Sequence, residues 1–240
     1  PYYTDSEGGA WRLYPFVEGT KCLQSAETPE LFAASGRAFG RFQRMLKDYP
    51  AHTLFETIPH FHDTEDRLAK LKAAAAADAM GRVSQVGPEL EFALQREKDC
   101  SVALQALRDG ILPLRVTHND TKLNNVLIDR ETGQGLCIID LDTVMPGLAI
   151  NDFGDSIRFG ANHSAEDETD LSRVNFDLAL YDVYTKSLLE GAEGSFTSAE
   201  LDYMPWGAKL MTLECGIRFL TDYLEGDHYF HCLLYTSDAA

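Results

Sequence analysis

Apolar side chains recur at helical spacing through both ends of the chain, and at strand spacing only near its middle. Leu31, Ser35, Ala38, Phe42 and Met45 fall three or four apart and predict a helix. Thr28 suits its cap, and Pro29 suits its first position, where no backbone donor is needed. A second helix is predicted to follow Asp63 and Thr64 and to run through the alanines at 73–77, which are good helix formers. Gly87 and Pro88 open a third, expected to reach about Arg108. Near the end, Thr197 and Glu200 have the spacing of a capping box. Leu210, Leu213, Ile217, Leu220 and Leu224 then mark one face of a long final helix.

Strand signals are fewer. Trp11 to Val17 reads as a short strand broken at Pro15 and turned at Glu18 and Gly19. Residues 126–129 and 136–139 are apolar runs joined by a loop bearing Gly133 and Gly135, which predicts an antiparallel hairpin. If its turn centres between Thr132 and Gly133, Asn125 lies opposite Asp140 at the open end. Facing side chains have Cβ atoms about 4.5–5.5 Å apart, so an amide oxygen and a carboxylate could share one small cation. A slip of one residue would turn the two side chains to opposite faces. The chain has no internal repeat and no linker rich enough in Pro, Gly or Ser to cut it in two.

Composition narrows the function. Among 240 residues, 21 Lys plus Arg stand against 38 Asp plus Glu, a formal charge of -17. Such a chain is poorly suited to nucleic acid, whose backbone is bound through basic side chains. No apolar run approaches the ~20 residues of a membrane span, and the first residues carry no signal-peptide pattern. The five cysteines are scattered and form no CxxC pair, so buried free thiols in a reducing cytoplasm are expected. A start at Pro1 rather than Met hints at a fragment.

The polar stretch before the hairpin carries the chemistry. It follows a strand expected at 114–116 and places Asp120 five residues ahead of Asn125. Hard oxygen ligands such as Asn125 and Asp140 suit Mg²⁺, and a carboxylate beside such a site can relieve a substrate hydroxyl of its proton. The spacing H-x-D-x-x-x-x-N from His118 to Asn125, followed by a hairpin ending in Asp140, matches the catalytic loop and metal Asp of kinase-like phosphotransferases.

Residues 118–129 and 138–142 together resemble the aminoglycoside phosphotransferase and choline kinase-like superfamily. Within it, residues 118–125, 140–147, 152–160 and 218–227 are similar to N-acetylhexosamine 1-kinases. The likeness extends to about Phe230 and implies ATP-dependent phosphoryl transfer to the anomeric hydroxyl of a small sugar. It makes Asp120 the catalytic base and makes Asn125 and Asp140 the Mg²⁺ ligands. Tyr14, Pro15, Phe16 and Val17 become the hinge whose backbone meets adenine. Asp152-Phe153-Gly154 resembles a kinase metal motif, but Asp140 already holds the post-hairpin position. Asp152 matches instead a helix-start Asp that braces the catalytic loop, and His118 props that loop by hydrogen bonding.

The implied fold is α+β and mostly helical, a protein-kinase-like C-terminal lobe with a catalytic β-hairpin and its N-lobe largely missing. Residues 1–19 would end the N-lobe strand and hinge, 20–231 would form the C-terminal lobe, and 232–240 are an unpatterned tail. No Gly-rich loop and no Val-Ala-x-Lys precede Tyr14. The 240-residue chain is therefore expected to bind ATP weakly and turn over little, the full-length parent being active. ATP and a small sugar are the expected partners, Mg²⁺ the cofactor and the cytoplasm the location. Another small alcohol as acceptor, or a non-catalytic nucleotide- or sugar-binding module, is the rival reading.

Plainer roles stand beside these. Asp120 could bond its own backbone, as loop Asp residues do, and Asn125 and Asp140 could end a turn without metal. Asp142 shares a face with Asp140 if the strand continues, as an outer partner or a substrate contact. Arg218 is either a substrate or phosphate contact or the centre of a helix-surface ladder with Glu214 and Asp222; Arg158 is open in the same way. Phe61, His62 and Asp63 line an acceptor site or cap a helix, and Tyr203 and Trp206 stack on a sugar or pack in the core.

Overall fold

The computed structural model describes residues 2–164, 168 and 170–230. The short strands β1 (Tyr3–Thr4) and β2 (Ala10–Trp11) pair antiparallel. The strand expected over 11–17 therefore stops at Trp11. Beyond it, Leu13 and Phe16 stand almost fully in solvent, and among the described residues no other strand pairs with this stretch. Pro15 also lacks the N–H that a ladder needs.

After β3 (Thr20–Lys21) comes α1 (Pro29–Met45), capped by Thr28, whose Oγ1 accepts the Leu31 N–H at 3.3 Å. Its buried face includes Phe32, Ser35, Ala38, Phe39 and Phe42, whereas Met45 is exposed. Helix α2 (Thr64–Ala77) is capped by Asp63, which accepts the Asp66 N–H at 2.9 Å. The single helix expected from Gly87 to Arg108 is three: α3 (Gly87–Leu94), α4 (Glu97–Cys100) and α5 (Val102–Arg108). The chain keeps turning, but its hydrogen bonds tighten to the third residue at Arg96, which reaches Ala93 O at 3.1 Å, and at Asp99, which reaches Arg96 O at 2.9 Å.

Strand β4 (Arg115–Thr117) leads into the polar loop, β5 (Val126–Asp129) and β6 (Gly135–Ile138) make the hairpin, and β7 (Met145–Gly147) returns beside β4. The sheets are small and antiparallel: β1-β2, β3-β5-β6 and β4-β7. The chain ends in α6 (Ala149–Gly160), α7 (Leu178–Ala192) and α8 (Ser198–Glu225), the last opened by the Thr197–Glu200 capping box. About half of the chain is helical. No helix among the described residues is long and apolar enough to cross a membrane.

The hairpin register differs from the expected one. Val126 faces Ile138 and Leu127 faces Cys137, while a bulge sets Ile128 against Gly135. The cause is local. The Asp129 Oδ1 accepts the N–H groups of Glu131 at 3.0 Å and Thr132 at 2.7 Å, which draws the turn toward the first strand. Asn125 thus faces Ile139, whose N–H reaches Asn125 O at 3.0 Å, rather than Asp140.

Two apolar clusters hold the helices. One joins α1, α6, α7 and the hairpin through Phe32, Phe39, Val126, Ile128, Phe153 and Tyr184. The other packs α2 and α3 on α8 through Leu68, Leu71, Ala93, Leu213 and Ile217. Helices α6 and α8 meet backbone to backbone. A Cβ on Gly154 would strike Gly207 O, and one on Gly207 would strike Ile150 O. The expected burial of the thiols holds for Cys100, but Cys22 is exposed; Cys137 and Cys215 are half-buried, and Cys232, with the tail 232–240, lies outside the described residues.

Candidate active site

The loop after β4 is pinned by one face of α6. Asp152 accepts the His118 N–H at 2.9 Å, the Asn119 N–H at 2.8 Å and the Gln43 amide at 2.8 Å. One turn on, Asp155 accepts the Thr121 N–H at 2.9 Å, and Ser156 Oγ donates to Thr121 O at 2.8 Å. Residues three and four apart share a helix face, so three side chains of α6 grip three residues of the loop, His118, Asn119 and Thr121. Burial pushes the Asp152 carboxyl above its ordinary value, while the backbone donors of His118 and Asn119 oppose that shift.

His118 is wholly buried between the edges of Phe39 and Phe42. Its Nδ1 accepts the Asp120 N–H at 3.3 Å, so Nε2 carries the proton and donates to Ile139 O at 2.9 Å. Asn119 takes the left-handed conformation, φ 65°, and its amide donates to Thr143 O at 2.8 Å. Asn is among the few residues that visit this region readily.

Asp120 and Asn125 are brought together: Asn125 Nδ2 donates to Asp120 O at 2.8 Å and to Asp120 Oδ2 at 3.0 Å. Lys122 Nζ lies 3.5 Å from Asp120 Oδ1. Asp140 is exposed at φ 60°. It directly follows Ile139, whose N–H and carbonyl are both held by the loop, at Asn125 and His118.

A family model described as the phosphotransferase enzyme family matches residues 2–184. The chain belongs to the phosphotransferase enzyme family. The mixed, half-helical architecture with small antiparallel sheets is consistent with that family.

The residues of this phosphotransferase suit a hard cation. Asn125 turns its amide nitrogen to Asp120, and no hydrogen bond engages its oxygen among the described residues. The Asp140 carboxylate is likewise unengaged there. Mg²⁺ takes few protein oxygens and fills its shell with phosphate and water, so each side chain is of a kind that could hold it, although the register sets Asn125 opposite Ile139 rather than Asp140. No cluster of three His, Cys, Asp or Glu suited to a metal occurs among the described residues.

Other residues singled out in the sequence sit differently. Asp142 lies in the 3-10 turn Leu141–Thr143 rather than on a continued strand, and its carboxylate pairs with Arg12. Tyr14, Pro15 and Phe16 are exposed; Val17 is half-buried and its carbonyl accepts Thr20 Oγ1 at 2.8 Å. Among the described residues no ion pair joins Arg218 to Glu214 or Asp222. Its guanidinium instead lies over the rings of Tyr229 and Phe230, 5.6 and 5.4 Å from their centroids. Asp222 accepts the N–H groups of Tyr229 and Phe230, both at 2.9 Å. Arg158 pairs with Asp155 at 2.9 Å, Asp63 caps α2, and Tyr203 and Trp206 pack against the core.

Sequence reasoning missed Lys122, Gln43 and the pair His62–Glu214. Lys122 was legible two residues after Asp120. Gln43 and Glu214 come from distant helices whose local pattern carries no sign of the loop.

Proposed function

We propose that the protein transfers the γ-phosphoryl group of ATP, with Mg²⁺, to the anomeric hydroxyl of an N-acetylhexosamine. Asp120 orients that hydroxyl and accepts its proton, while the Asn125 amide fixes the carboxylate from the opposite side. Asn125 and Asp140 would hold the Mg²⁺, which when bound offsets negative charge on the phosphoryl group in transfer. Lys122 adds positive charge beside the base. Tyr14, Pro15, Phe16 and Val17 meet adenine through their backbone, and Asp142 and Arg218 are offered to the sugar. The work is positioning and electrostatics, as this chemistry demands.

The observation that carries the reading is the Asp120–Asn125 contact of 3.0 Å in a loop clamped by α6. A module that only binds has no need of a carboxylate fixed in this way. Labelled ATP offered with a panel of acceptors to the product of the complete reading frame tests it. Label on an N-acetylhexosamine, lost in acid as an anomeric phosphate is, is expected. Label on an amino alcohol, an aminoglycoside or another sugar transfers the reading to that acceptor. Binding of Mg-ATP with no label on any acceptor leaves a binding module.

A further inference from the structure

We propose that His62, held as an imidazolium between Glu214 and the Asn119 carbonyl, is a positioning residue that fixes the peptide aiming Asp120. The inference rests on the reading of Asp120 given above.

The peptide unit between Asn119 and Asp120 is gripped at both ends. Its carbonyl oxygen faces His62 Nε2 at 3.0 Å, and its N–H donates to His118 Nδ1 at 3.3 Å. The unit follows Asn119 at φ 65°, and these partners fix its plane. Asn119 is tied further through its own N–H to Asp152 and its amide to Thr143. Releasing the carbonyl leaves that peptide held only through its N–H, at His118 Nδ1.

The protonation state follows from the partners. A carbonyl cannot donate, so His62 Nε2 carries a proton. Nδ1 lies 2.9 Å from Glu214 Oε1, while Glu214 Oε2 accepts Thr64 Oγ1 at 3.1 Å. With Glu214 ionised both of its oxygens are acceptors, so Nδ1 also carries a proton and the ring is cationic. The side chains are 11% and 2% exposed, which makes this a buried, hydrogen-bonded pair. Glu214 faces the ring from α8. Asp155 of α6 adds negative charge, itself paired with Arg158, and on the ring's own loop Asp63 is paired with His60. Burial draws the imidazole down, and the charge and bond of Glu214, with Asp155 and the Asn119 carbonyl, outweigh it and leave His62 above its ordinary value.

The clamp is therefore closed below the His62 midpoint and opens above it. Turnover should fall as pH rises through that midpoint, with KM for ATP steady. The test is an NMR titration of the His62 imidazole and the Asp120 backbone amide, run beside kcat against pH. In wild type the amide should report the His62 midpoint. In Glu214→Gln, both midpoints and the basic limb of kcat should move down together by about one pH unit or more. Thr64→Val strips a donor from Glu214, makes it a stronger acceptor and should move all three up, which covers a Glu214→Gln that fails to fold. His62→Gln can still donate to the carbonyl without charge; it should keep activity and lose the basic limb. An Asp120 amide blind to the His62 titration overturns the proposal, as does a kcat limb that stays in place while the His62 midpoint moves. Absence of transfer at any pH, with the amide still following His62, would instead sink the functional reading.

Discussion

Asn125 holds Asp120 twice, through its backbone carbonyl at 2.8 Å and its carboxylate at 3.0 Å. One amide group thus fixes both the position and the rotamer of the proposed base, and no hydrogen bond engages its own oxygen among the described residues. Truncating the base tests this arrangement. Asp120→Ala should lower kcat by ~10²-fold or more with little change in KM, the signature of a group used in the transition state. Turnover near that of wild type would remove Asp120 from the role.

Asp152 is the hub beneath the loop, with two backbone donors and the Gln43 amide on its carboxylate. Asp152→Ala leaves the buried His118 and Asn119 N–H groups unpaired and leaves the Gln43 amide only Val116 O. The loss should be on the order of 3 kcal/mol or more, read as a lower urea midpoint. An unchanged midpoint would show that water replaces the carboxylate at no cost.

Helix α6 can serve as a rigid platform because it lies directly on α8. Gly207→Ala should cost about 1–3 kcal/mol by forcing its new methyl into Ile150 O. Unaltered thermal stability would mean that the two helices part freely.

The His62–Glu214 pair also makes stability depend on pH. The folded His62 value is raised above its unfolded value of about 6.5. Its contribution is complete below the unfolded value and is lost as pH rises through the folded one. The Tm advantage of wild type over His62→Gln should shrink as pH rises above about 6.5 and through the folded value. A constant gap across that range contradicts the cationic assignment.

Local chemistry was legible in the sequence. The caps at Thr28, Asp63 and Thr197, the hairpin and the long last helix all follow from residues within a few positions of one another. The register was lost because Asp129 folds back on its own loop, a competition that alternation of apolar residues does not record. The ladder read at Arg218 failed because Glu214 is committed to His62 and Thr64 across the fold. Within the site, the loop spacing marked Asp120 and Asn125 as neighbours. The supports from α1, α6 and α8 came only with tertiary packing, which joins residues that share no periodicity.

The central claim is that Asp120, Asn125 and Asp140 border one cation-bearing phosphoryl-transfer centre. Titrating Mn²⁺ with nucleotide and following paramagnetic broadening of the backbone amides measures this directly. The amides at 120–125 and 139–141 should broaden first in wild type and stay sharp in Asp140→Asn at the same concentration. Broadening that begins elsewhere, or that Asp140→Asn leaves untouched, would contradict it.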